Sequence, residues 1–134
     1  MVDILRKEIE MPFDEVVALI EKIMTEEGFS VLLTKDIDVV IKTKLGIAEY
    51  PRYTTILGCG PELAKMALDI SKDVGLLFPC SFVVYEEEEK VFVAHVSIMK
   101  IAADINLASA DVLAPVIART GEKIQAVWQK ISSN

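Results

Sequence analysis

Apolar residues recur at helical spacing between residues 13 and 24: Phe13, Val16, Val17, Ile20, Ile23 and Met24 fall on one face. Glu15, Glu21, Lys22 and Glu26 line the other, the pattern of an amphipathic helix laid on a core. Pro12 stands where a helix start does not need an N–H. Gly28 followed by Phe29 reads as a left-handed terminator whose aromatic ring folds back on Met24. Before this helix, residues 2–10 predict a strand anchored by Ile4 and Ile9; after it, residues 29–33 predict a buried strand.

The next segment supports two patterns. Val39, Val40 and Ile41 favour a strand by propensity. Asp36 as a cap, Ile37, Ile41 and Leu45 four apart, and Gly46 as a stop favour a helix, which is the expectation adopted. Residues 47–51 read as a loop and residues 53–57, rich in aromatic and β-branched side chains, as a strand. Gly60 and Pro61 open a helix carried by Leu63, Met66, Ala67 and Ile70, which residues 72–75 end. Residues 77–85 predict a strand interrupted early by Pro79, and residues 91–96 return from a Glu-rich turn as its hairpin partner. Residues 98–108 show no clean period and read as a connection. A last helix over residues 109–131 carries Leu113, Ile117, Thr120, Ile124, Val127 and Ile131 as its seam, with Pro115 tolerable only in the first turn. The order is β-α-β-α-β-α-β-β-α. It predicts a single α+β domain over residues 1–134, a mostly antiparallel sheet with helices packed on one face.

Composition narrows the function classes. The chain has 134 residues, 52% of them hydrophobic, a large apolar share for so short a protein. Its longest uncharged run, residues 74–85, is 12 residues and contains Pro79, against the ~20 that a membrane-spanning helix needs. The first ten residues carry both signs of charge and no apolar stretch, so a signal peptide is not expected and the cytoplasm is. The apolar excess predicts a homodimer that buries part of it; a well-filled monomer core is the alternative. A net charge of −7 with scattered Lys and Arg argues against nucleic acid and against anionic membranes. Glu86-Glu87-Glu88-Glu89 is a solvated hairpin tip on this reading.

Two sequence blocks resemble a known family. Tyr53-Thr54-Thr55-Ile56-Leu57-Gly58-Cys59-Gly60-Pro61-Glu62-Leu63-Ala64 is similar to the strand, Cys-x-Pro turn and Leu-Ala helix start of the domain of unknown function 302 family. Gly75-Leu76-Leu77-Phe78-Pro79-Cys80-Ser81-Phe82-Val83-Val84-Tyr85-Glu86 resembles that family's second signature, and Phe13-Asp14-Glu15-Val16, Glu27-Gly28-Phe29 and Lys44-Leu45-Gly46 match earlier landmarks. The resemblance, over about residues 10–100, implies a small α+β domain, usually dimeric, and no established activity, substrate or cofactor. Cys59 and Cys80 fall on the family's two cysteine positions. Where many relatives have an acidic residue and a proline after the final strand, this chain has His95-Val96.

The candidate chemistry rests on Cys59, Gly60, Cys80 and His95. Cys59 precedes the cap Gly60, and a helix N-terminus stabilises a thiolate, which lowers a thiol's pKa below the free value of about 8.5. Small apolar packing at a strand–helix junction explains the same residue equally well. Cys80 enters a strand buried on at least one face, which favours packing, and if its strand neighbours that of Cys59 the thiols share one end of the sheet. His95 is the sole histidine and would complete a Cys₂His set, but the cysteines are 21 positions apart, unlike the close pairs of zinc sites. No metal is expected, and no cofactor is indicated. Three readings stay open: a domain binding a small ligand near Cys59, Gly60 and Cys80; a thiol redox or transfer protein with Cys59 activated and Cys80 resolving; and a structural module with packing cysteines. The residues do not decide whether the chain is an enzyme.

Overall fold

The structure, a computed structural model, describes residues 4–132. Its elements are β1 (Leu5–Glu8), α1 (Phe13–Glu26), β2 (Ser30–Asp36), α2 (Ile37–Leu45), β3 (Tyr53–Cys59), α3 (Pro61–Ile70), a 3₁₀ segment (Lys72–Leu77), β4 (Cys80–Glu87), β5 (Lys90–His95), α4 (Ile98–Asp104) and α5 (Ala110–Ser132). The strands form one antiparallel sheet in the order β1-β5-β4-β3-β2. The α+β class and the element order agree with the sequence pattern, with one helix added inside the expected connection.

Strand alternation sorts the sheet into two faces. Registers place Leu5, His95, Phe82 and Ile56 in one row and Val93 and Val84 in the next. These rows meet Phe13, Val16, Ile20, Ile23 and Met24 of α1 and Ile124, Val127 and Ile131 of α5 in the main core. The opposite face carries Tyr53, Tyr85 and Phe92, half-buried and stacked in a ladder with ring centroids 5.9 and 5.4 Å apart. A second core joins Ala67 of α3, Val74, Met99 and Ala102 of α4, and Leu113 and Val116 of α5.

The α1 terminus forms as expected: Gly28 has φ +88°, Phe29 N–H donates to the Met24 carbonyl at 2.9 Å, and Gly28 N–H donates to that of Thr25. α2 starts at Ile37 and stops at the left-handed Gly46, but Asp36 does not cap it through its side chain. The Asp36 carboxylate instead accepts from the Thr54 hydroxyl at 2.6 Å, and the buried Asp38 accepts from Tyr53 N–H at 3.0 Å.

Several expectations are corrected. Ile4 is 58% exposed and Leu5 turns inward beside Ile9; the part of that prediction at residues 2 and 3 lies outside the described residues. β2 runs on to Asp36 and is an exposed edge strand, not a buried one, because it ends the sheet with β3 alone as its strand neighbour and carries a bulge at Leu32. Residues 98–104 form α4, whose start is capped by the Ser97 hydroxyl accepting from Lys100 N–H. Pro115 lies beyond the first turn of α5; it and Asp111, whose carbonyl loses its intrahelical donor, are both exposed, so water can satisfy that oxygen. The buried seam of α5 passes through Val116 rather than Ile117.

Candidate functional site

β3 and β4 are antiparallel neighbours, with Gly58 opposite Cys80. Cys59 ends β3 and Cys80 begins β4, so both thiols reach the same end of the sheet, where α3 starts. The Gly-Cys-Gly-Pro sequence follows from close packing there. A Cβ on Gly58 would collide with Met24 Cε, and one on Gly60 would lie 3.3 Å from Leu63 Cδ1 and 3.4 Å from Phe29 Cε1. Backbone therefore packs closely on the end of α1 at both glycines, with the Cys59 side chain between them. Pro61 then opens α3, whose N-terminus has no side-chain cap. On the other strand, the 3₁₀ segment and a cis Phe78–Pro79 bond deliver Cys80.

Between these two chain ends lies a hollow with about 400 Å³ of empty space, its open mouth included. Gly58, Cys59, Gly60, Leu63 and Ala64 line one side, Phe78, Pro79 and Cys80 another, and Phe29, between α1 and β2, a third. Ile98 and Met99 of α4 and Val116 and Thr120 of α5 complete it. It sits at the seam of the two cores: Phe29 and Leu63 belong to the first, Met99 and Val116 to the second. None of the thirteen residues lining it is charged.

Three of the four sequence candidates, Cys59, Gly60 and Cys80, meet at this hollow. Both cysteines are free thiols. Burial, with a smaller contribution from Cys59 nearby, pushes the Cys80 thiol up to about 11. Its Sγ donates to the Gly58 carbonyl at 3.5 Å. Cys80 is thus a neutral thiol at physiological pH.

His95 is not part of the hollow. It lies in the main-core row beside Phe82, ring on ring at 4.4 Å, and is 4% exposed. Nδ1 lies 2.8 Å from the Ser81 carbonyl, which requires the proton there; Nε2 is buried without a hydrogen-bond partner. Burial lowers the His95 pKa, against the opposing pull of the Ser81 carbonyl. The imidazole is therefore a neutral core residue. Among the described residues no group of three or more His, Cys, Asp or Glu is gathered to hold a metal ion. No helix among them is long and apolar enough to cross a membrane.

The sequence pattern missed the α4 wall, because residues 98–104 lack a clean period; Ser97 three residues ahead of Lys100 was the available signal. Val116 was missed because the seam was drawn one residue late.

A sequence model described as Domain of unknown function DUF302 matches residues 5–131. The chain belongs to the DUF302 family. The crystal structure of an uncharacterized conserved DUF302 protein from Bacillus stearothermophilus has the same fold, with a TM-score of 0.84 at 20% identity over 96% of this chain and 97% of that one. No curated protein matches this DUF302 chain. Both cysteine-bearing blocks that carried the resemblance lie within the matched span and converge on the hollow.

Proposed function

We propose that this DUF302 protein is a homodimeric binding protein of the cytoplasm that takes a small uncharged, apolar molecule into the hollow beside Cys59, Gly60 and Cys80. The observation that carries this is the lining: aromatic, aliphatic and thioether side chains, two thiols and one hydroxyl, with no charged residue. An ion entering such a site would shed water without gaining a partner, whereas an apolar molecule gains by the transfer. The reducing cytoplasm keeps two free thiols free.

The raised pKa of Cys80 counts against the thiol-exchange alternative, since a resolving cysteine attacks as a thiolate. The test is native mass spectrometry of protein purified without reductant, followed by titration with the uncharged dye N-phenyl-1-naphthylamine. The expected result is a co-purifying neutral mass or saturable dye binding that Ala64→Trp, at the wall of the hollow, abolishes. A clean protein mass together with no dye binding would overturn the reading.

A further inference from the structure

Sulfur and phenyl rings are concentrated around the hollow. The chain has two cysteines, five methionines and five phenylalanines among its 134 residues. Five of these twelve, Cys59, Cys80, Met99, Phe29 and Phe78, stand among the thirteen residues that line it. They arrive from the end of β3, the start of β4 and the segment before it, α4, and the turn after α1. Phe29 and Met99 are each 3% exposed, so the surrounding core fixes where ring and thioether stand. The Cys80 thiol hydrogen is already engaged by the Gly58 carbonyl, which leaves its sulfur to meet a ligand through dispersion and lone pairs.

We infer that the molecule taken into this hollow is an uncharged aromatic ring compound, selected over saturated molecules by sulfur and phenyl contacts. The inference rests on the small-ligand reading above and names the chemical class of that ligand. A saturated and an aromatic hydrocarbon of one size both gain by leaving water. Only the aromatic one brings a positive ring edge, which attracts the lone pairs of thiol and thioether, and a negative face, which meets phenyl edges. Leu, Ile and Val alone would serve a saturated ligand as well, so the three sulfurs add nothing to its binding. Charged ring compounds are disfavoured, because the lining holds no residue to pair with them. The 400 Å³ of empty space, its mouth included, leaves room for a two-ring compound such as naphthalene.

The test is competition against N-phenyl-1-naphthylamine by naphthalene and by decalin, its saturated counterpart on the same carbon skeleton. Decalin leaves water more readily, so hydrophobic transfer alone ranks it first. The expected order on the wild-type protein is the reverse, with the Kd of naphthalene lower by about threefold or more. Met99→Leu, which keeps the side-chain volume, should weaken naphthalene roughly threefold and leave decalin unchanged. Decalin binding as tightly as naphthalene, or a naphthalene affinity untouched in folded Met99→Leu, overturns the aromatic class and leaves the small-ligand reading standing. No dye binding together with a clean native mass overturns both. The wild-type order needs no variant, and a co-purifying molecule decides without competition: an aromatic one supports the class, and a saturated one overturns it.

Discussion

Cys80 Sγ donates to the Gly58 carbonyl across the β3–β4 ladder at 3.5 Å, a contact that favours the protonated thiol. With a pKa of about 11, it is ionised at pH 8 in on the order of one molecule in a thousand. Iodoacetamide at pH 8 should therefore modify Cys80 at least tenfold more slowly in the folded protein than in urea. Peptide mass spectrometry with time points reads this directly. Equal rates in the two states would remove the argument against thiol exchange.

His95 gives the protein a pH dependence of known sign. Its folded pKa lies below the ordinary value of 6.5, so on acidification the unfolded chain takes up the proton first. Stability from this residue is complete above about pH 6.5 and is lost as pH falls toward the folded pKa, with a slope of up to ~1.4 kcal/mol per pH unit. His95→Phe, which keeps the ring against Phe82, should flatten the urea-midpoint profile between pH 7.5 and 5. A variant as acid-sensitive as wild type would contradict the neutral-core assignment.

Two glycines should respond in opposite directions to alanine. Gly58→Ala drives its Cβ into Met24 Cε, and the buried Met24 must swing its terminal methyl aside within the core. The expected loss is ~1–3 kcal/mol, the usual cost of overpacking. Gly121, exposed within α5, has nothing within 4 Å of the position an added methyl would take. Gly121→Ala should therefore gain ~0.5–1 kcal/mol through helix propensity. Urea denaturation of both variants provides the comparison.

The β4–β5 hairpin turns through Glu88 and Glu89, with φ of +52° and +64°. Side chains with a Cβ pay roughly 1–2 kcal/mol each in this region, which Asn-Gly tolerates far better. The pair Glu88→Asn with Glu89→Gly should raise stability by ~1 kcal/mol or more, measured as a shift in the urea midpoint at unchanged m-value. No gain would indicate that the turn relaxes in solution.

Legibility in the sequence followed the strength of each local signal. α1 was readable to its last residue, because Pro12, the apolar face, Gly28 and Phe29 all specify the same helix. α4 was not, because a seven-residue helix held by one serine cap leaves too short a pattern to carry a period. The strand β2 was misjudged as buried because Val31, Leu32 and Leu33 satisfy burial as well as they satisfy an exposed edge; sheet order, a non-local property, decides between them. The candidate site was half legible. Cys59, Gly60 and Cys80 stood out in their motifs, but the walls from α4 and α5 arrive from distant sequence, and His95 was drawn into the core by its register opposite Phe82.

α5 contributes Leu113 and Val116 to one core and Ile124, Val127 and Ile131 to the other, and Thr120 stands between them at the hollow. Two packed units, the smaller around Val74 and Ala102, are thus tied together by α5 and by α3, whose Leu63 enters one core and Ala67 the other, and both helices border the hollow. Whatever occupies that space acts as mortar. Its binding free energy is added to the resistance of the smaller unit to opening, so occupancy would be legible as slowed hydrogen exchange in α3, α4 and the first half of α5, remote from β1 and the sheet's far edge.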